Sequence, residues 1–276
     1  FNMLINGSMV SGTGDQKIPI VNPATEAQIG NIDVATWSDV NDAVNAAHEA
    51  FHNGPWKTMN PGQREKILHN LADKLEEECD IIAQILTMES GKLLAQAKSE
   101  IMGAVATFRY YAGWPTKIEG ETIDISLKQK PGKKNFAFTR REPVGVVAAI
   151  VPWNFPISIA SWKLAPALAA GCTVVLKPSE VAPLSSIYFA RLFKESGCPD
   201  GVVNVITGDG ETGAHLTTHK LISKITFTGS TRVGKLIGKA AMDNMTGISL
   251  ELGGKSPAIV FADADLKEAA KGVALG

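Results

Sequence analysis

The chain has 276 residues, with 27 basic against 28 acidic side chains and 45% hydrophobic content. That is the composition of a globular protein large enough for a full core or two domains. It offers no basic excess to a nucleic acid and no apolar run long enough to cross a membrane. The opening FNMLINGSMV lacks the basic leader and apolar stretch of a signal peptide, and Cys79, Cys172 and Cys198 form no CxxC pair, so a reducing, cytoplasmic setting is expected.

In chain order, residues 1–36 hold short strand-like pieces, LING and IPIVNP, around the turn-rich SGTGD, and predict a small antiparallel start. Helices follow. Ser38 is the expected N-cap of a helix over 39–52, with Val40, Ala43, Val44, Ala47 and Phe51 at helical spacing. Asn60-Pro61 opens a second helix carrying Ile67, Leu68, Leu71 and Leu75, and Cys79 is expected where a helical segment ends. A third runs from Lys92 to Tyr111 with Ala97, Ile101, Ala104, Val105 and Phe108 on one side. Over 117–142 the period changes to two: Ile123, Ile125 and Leu127 alternate with Asp124, Ser126 and Lys128, Pro131-Gly132 turns the chain, and Asn135 to Arg140 alternate again. A lone two-stranded ribbon is marginally stable in water, so this one is expected to pack on another subunit or on an edge of its own domain.

From Val144 to Glu180 the chain reads as a buried strand, a helix and a second buried strand, the βαβ unit of a parallel sheet. Val146–Val151 and Thr173–Leu176 are the strands and Ile157–Ala170 the helix, which Pro166 should kink. Pro152, Pro156 and Pro178 cannot continue a ladder, so each strand ends where Trp153 and Asn154, or Lys177, Ser179 and Glu180, begin. Ligands of open parallel sheets bind outside those carboxyl ends. Alternation continues through helix 184–196, strand 202–206, a short helix after Glu211, strand 224–227, helix 231–241 and strand 248–250. The block 144–250 is therefore expected to be doubly wound α/β.

Three motifs need weighing. His48–His52 matches HExxH, but the helix buries a stripe that leaves both imidazoles largely outside it, so exposed histidines are expected rather than zinc ligands. Gly208–Gly213 matches GxGxxG, yet no acid stands at the end of the next strand, and an ordinary turn is the better reading. Gly229–Lys235 follows a phosphate-loop pattern up to Leu236, which replaces the magnesium-holding Ser or Thr and is expected in the core with Val233, Ile237, Ala240 and Ala241. Gly229-Ser230 still caps a helix N-terminus just after a strand, a good place for a phosphate.

PWNFP at 152–156, KPSE at 177–180, FTGSTRVG at 227–234 and LELGGKSP at 250–257 stand in one order, and with them the chain resembles the aldehyde dehydrogenase superfamily over essentially its whole length. The resemblance implies a Rossmann-like NAD-binding domain over 1–116 and 143–250, an oligomerisation ribbon over 117–142, and the first part of a catalytic domain over 251–276. It implies that Asn154 donates to the oxygen that becomes negative as a thiolate adds to an aldehyde, and that Glu251 is the base that activates water. Lys177 and Glu180 would bind the adenosine ribose hydroxyls, the carboxylate tilting the choice to NAD over NADP, and Ser230 and Trp153 would contact the pyrophosphate. Ile150, Pro152, Ser179, Gly210, Phe227, Gly229, Val233, Leu252 and Gly253 complete the implied cofactor set; Gly253 and Gly254 let the chain pass close to the nicotinamide.

The family's cysteine nucleophile, in a GQxC-type segment, would lie a few residues past Gly276, and none of the three cysteines has a matching context. The expectation is thus a chain that stops inside the catalytic domain. The implied reaction is NAD-dependent oxidation of an aldehyde to an acid in a homodimeric or homotetrameric complete form. General likeness leans to aromatic aldehydes such as phenylacetaldehyde, or to betaine aldehyde. Competing readings are a nucleotide-binding or assembly module without catalysis and, from Gly229–Lys235, a phosphate-loop hydrolase.

Overall fold

The structure is a computed structural model that describes residues 1–127, 131 and 134–275. β1 (Met3–Ile5) and β2 (Ser8–Val10) form a hairpin through Asn6 and Gly7, whose φ values of 50° and 72° suit a two-residue turn. β3 (Lys17–Val21) and β4 (Gln28–Asp33) pair as a separate two-stranded sheet.

α1 (Trp37–His52) begins earlier than expected, because its cap is Thr36 and not Ser38. The Thr36 hydroxyl accepts from the Asp39 amide while the Asp39 carboxylate accepts from the Thr36 amide. This reciprocal box needs an acceptor three residues on. After the short α2 (Pro55–Thr58), Asn60 and Gln63 close a second such box at the head of α3 (Pro61–Glu77). α4 (Cys79–Ser90) corrects a second expectation: Cys79 starts a helix instead of ending one, with Glu78 the shared joint. Gly91 ends α4 at φ 72°, and α5 (Leu94–Ala112) follows. The apolar stripes of α1, α3 and α5 are buried as their spacing predicts, except that Phe51 is half-buried and Ala50 takes the core position.

The ribbon is present as β5 (Thr122–Ile123) and β6 (Ala137–Phe138), antiparallel with Thr122 opposite Phe138. Pro131 sits in a turn; Lys128 and Gly132 lie outside the described residues. Ile123, Phe136 and Phe138 are exposed.

The remaining elements are β7 (Val146–Ile150), α6 (Pro156–Ala170), β8 (Thr173–Lys177), α7 (Leu184–Glu195), β9 (Val203–Val205), α8 (Gly210–Thr217), β10 (Ile222–Gly229), α9 (Thr231–Asp243), β11 (Gly247–Leu252) and α10 (Leu266–Leu275). α6 is continuous through Pro166. The main sheet runs β11-β10-β7-β8-β9-β1-β2, five parallel strands closed at one edge by the antiparallel hairpin. The opening hairpin thus joins the central sheet rather than standing apart. Strand side chains alternate between two cores, Val147, Ala149, Val174 and Leu176 facing α3 to α7, and Val146, Ala148 and Val175 facing α1, α8 and α9. From β7 the chain steps towards β8 and β9, then returns to β10 on the other side of β7 and steps away to β11. The switch point is the β7/β10 pair, and the crevice outside its carboxyl ends is where such a sheet takes a ligand.

Candidate cofactor and catalytic clefts

Parallel register aligns the strand ends into one edge. Leu250 pairs with Phe227, Phe227 with Ile150, and Ile150 with Lys177, so four strands are in line where β7 and β8 end. Beyond that line Gly229 pairs with Leu252 and Thr228 with Glu251. Glu251 and Leu252 lie within β11, not past its end, because β10 and β11 run further than their apolar centres indicate.

The first cleft, of 570 Å³, is bounded by β7, β8, β10, α8 and α9 and falls in the size range of small-molecule and cofactor sites. Ile150, Pro152, Trp153, Lys177, Ser179, Glu180, Gly210, Phe227, Gly229, Ser230 and Val233 all line it. Lys177 is buried at its floor, donates to the Pro178 carbonyl at 3.2 Å and lies 3.8 Å from the half-exposed Glu180 carboxylate. Burial pushes the Lys177 ammonium below its usual range, and Glu180 and Asp209 oppose that shift. At the far side Ser230 caps α9, its hydroxyl accepting from the Val233 amide at 3.3 Å, and the other first-turn amides have no partner within the helix.

Leu236 is the main correction here. It is 55% exposed and lines this cleft with Val233, Ile237 and Ala240, so an apolar stripe that reads as core is in part a cleft wall. Periodicity reports which face of α9 is apolar, not whether protein or ligand covers it. The GxGxxG stretch is less a turn than a short link, Gly208-Asp209, into the first turn of α8: Gly208 has φ 146°, and a Cβ there would meet the Thr212 hydroxyl at 2.1 Å. The same turn sets Gly210 and Gly213 on the cleft wall, with a Cβ at Gly213 meeting Lys177 at 3.7 Å.

The second cleft, of 790 Å³, shares Pro152, Trp153, Thr228, Gly229 and Ser230 with the first and adds, among others, Asn154, Glu251, Leu252 and Gly253. Asn154 is exposed on the corner between β7 and α6, and Glu251, on β11, lines the same cleft. Lys163, on α6, lines this cleft too and stands in none of the motifs read from the sequence. It is buried, donates to the Thr226 hydroxyl at 3.0 Å, and is pushed down to about 8 by burial, with the Glu251 carboxylate opposing. The available signal was a lone lysine in an otherwise apolar helix.

The rings of His48 and His52 lie 4.3 Å apart, tilted by 46°, the Glu49 carboxylate accepts from Asn53, and no group of metal ligands occurs among the described residues. Lys235 is exposed on α9. Burial pushes the thiols of Cys172, Cys198 and Cys79 upward, the opposite of an activated nucleophile. No described helix is long and apolar enough to cross a membrane.

Comparison with known proteins defines the class of this fold and site. The model of the aldehyde dehydrogenase family matches residues 9–276, and the chain belongs to that family. It is 48% identical over 274 residues to a phenylacetaldehyde dehydrogenase of Pseudomonas fluorescens, covering 99% of this chain and 55% of that protein. An aldehyde dehydrogenase of Emericella nidulans is 45% identical over 269 residues, covering 97% of this chain and 53% of the other. Among solved structures, the NAD+ complex of an aldehyde dehydrogenase from Bacillus cereus superposes with a TM-score of 0.94 at 46% identity, covering 98% of this chain and 54% of that one. A betaine aldehyde dehydrogenase of Staphylococcus aureus in complex with NAD+ gives 0.92 at 38% identity, covering 98% and 54%. The chain spans about half the length of the relatives it matches.

Proposed function

We propose that the complete protein oxidises an aldehyde to a carboxylic acid with NAD as hydride acceptor, and that residues 1–116 and 143–250 form its cofactor domain, 117–142 its oligomerisation ribbon and 251–276 the start of its catalytic domain. The observation that carries this reading is the meeting of the two clefts at Pro152, Trp153, Thr228, Gly229 and Ser230. A ligand lying along the first cleft would reach, past those shared residues, the cleft that Asn154 and Glu251 line.

The residues of the first cleft fit a dinucleotide. Lys177 and Glu180 offer a buried donor and an adjacent acceptor to ribose hydroxyls, and the carboxylate disfavours a phosphate there. Ser230 and the first turn of α9 offer N–H groups and a positive dipole end to a pyrophosphate. Phe227, Val233, Leu236 and Ile237 supply apolar wall for a planar ring. When bound, NAD+ would accept the hydride.

In the second cleft Asn154 would donate its amide to the aldehyde oxygen as a thiolate adds to the carbonyl carbon, and Glu251 would take a proton from the water that releases the acid. Cys79, Cys172 and Cys198 do not meet the requirement for that thiolate, so the reaction as written takes its nucleophile from outside these 276 residues. The free cysteines agree with a reducing, cytoplasmic setting. A homodimer or a pair of dimers joined through the ribbon would cover Ile123, Phe136 and Phe138.

The test is NADH formation by the complete protein with a panel of aliphatic, aromatic and amino aldehydes. Turnover with at least one is expected, and Asn154→Ala should lower kcat about 100-fold. No turnover with any of them, or full rate in Asn154→Ala, refutes the reading.

A further inference from the structure

The corner that carries Asn154 is held from behind by two charged residues outside both clefts. Lys92 lies in the joint between α4 and α5, and Glu100 lies in α5 with its carboxylate fully buried. One Glu100 oxygen accepts from the amides of Ile157 and Ser158 at 3.0 and 3.1 Å, in the first turn of α6. The other takes the Lys92 ammonium, whose side chain is 11% exposed. Lys92 also donates to the Asn154 carbonyl at 2.8 Å and sits 3.8 Å over the Phe155 ring.

α6 has no cap of its own, since the residue at that position is Phe155. Glu100 therefore performs from a neighbouring helix what a Ser or Asp would do locally. α7 is treated the same way: Glu89, at the end of α4, accepts from the amides of Leu184 and Ser185. Among the described residues Glu89 has no ion-pair partner, so a capping glutamate does not of itself require a lysine. What sets Lys92 apart is its second bond, to the Asn154 peptide. Three residues before Asn154, Val151 donates to Lys177 at 3.2 Å, and one residue after it Phe155 accepts from Ile159 at 2.9 Å. The Lys92 bond falls between these two anchors, at a residue that lines the second cleft.

We propose that Lys92 and Glu100 are positioning residues for Asn154: Glu100 holds the head of α6, Lys92 holds the Asn154 peptide to Glu100, and the amide of Asn154 is thereby kept in place. A hydrogen-bond donor aimed at developing charge works only if it is held to within about half an ångström, which an exposed corner does not ensure by itself. The kinetic part of this inference rests on the reading of Asn154 given above; the structural part does not.

The experiment compares Lys92→Met, Lys92→Arg and Glu100→Gln in the complete protein, by amide hydrogen exchange and by kinetics. In Lys92→Met, peptides spanning 152–158 should exchange roughly 10-fold faster while those spanning 173–177 are unchanged. Its kcat should fall about 10-fold with NAD+ affinity within about twofold of wild type, and Lys92→Arg should recover most of the rate. The double variant Asn154→Ala with Lys92→Met should be no slower than Asn154→Ala alone, because a residue acting only through Asn154 has nothing left to position. Unchanged exchange over 152–158, or a double variant slower by the product of the two single losses, overturns the proposal. If Asn154→Ala retains full rate, the oxyanion reading fails, and the exchange data still decide whether the pair holds the corner. Should Lys92→Met fail to fold, Glu100→Gln carries both measurements, since it keeps an acceptor for α6 and removes the charge that draws Lys92.

Discussion

Lys163 ties the second cleft to a measurable pH dependence. Its ammonium is buried on α6 with the Thr226 hydroxyl as bonded partner, and burial lowers it from 10.5 to about 8. Where the unfolded chain still holds a proton that the native state has released, stability rises with pH. For Lys163 that window runs from about pH 8 to about pH 10.5. At about 1.4 kcal/mol per pH unit the full gain has a ceiling of about 3 kcal/mol. Below pH 8 both states are protonated and the burial cost of the charge is constant. Lys163→Met removes the titration while keeping the length of the side chain. Urea unfolding of both proteins between pH 7 and 10 should show the wild type gaining on the variant by about 2 kcal/mol at the upper end. Thiols and tyrosines that also titrate there are common to both proteins and cancel in the difference. A difference that stays flat across the window, or falls with pH, refutes the assignment of a buried ammonium at this position.

Two further outcomes follow from the same structure. Burial raises Glu89 to about 7 although Ser185 and two backbone amides bond it, so the native state keeps a proton that the unfolded chain has lost between about pH 4.5 and 7. Stability should fall as pH rises through that window, by at most about 3 kcal/mol, and Glu89→Gln should flatten the profile in thermal melts across it. Ser230→Ala removes the cap of α9 and one donor from the first cleft, and should cost about 1 kcal/mol of stability and weaken NAD+ binding roughly 5-fold by titration calorimetry. Unchanged affinity in that variant would remove Ser230 from the cofactor contacts.

Much of this protein is decided by local chemistry that the sequence displays on its own. The strands Val146–Ile150 and Thr173–Lys177 are continuous apolar runs, the prolines at 152, 156 and 178 end them, and the stripes of α3 and α5 repeat at helical spacing. Those features determine an α/β layer structure and place Trp153, Asn154, Lys177, Glu180 and Ser230 at strand ends before any tertiary contact is known. Boundaries were less legible. Thr36 displaces Ser38 as a cap because only Thr36 has Asp39 at the reciprocal distance, and Cys79 starts a helix because Glu78 breaks what reads as one run.

What tertiary structure alone decided is which faces are covered, and by what. Leu236 looks like core in a helical stripe, yet the gap between α9 and the strand ends leaves it on a cleft. Lys92, in the joint before α5, and Glu100, within α5, are eight residues apart, and only the packing of α5 against the head of α6 brings them to Asn154. Lys163 gains its character from being buried beside β10. Periodicity encodes polarity along one element, whereas burial, ion pairing and cleft geometry depend on the partner element, which lies tens of residues away in the chain.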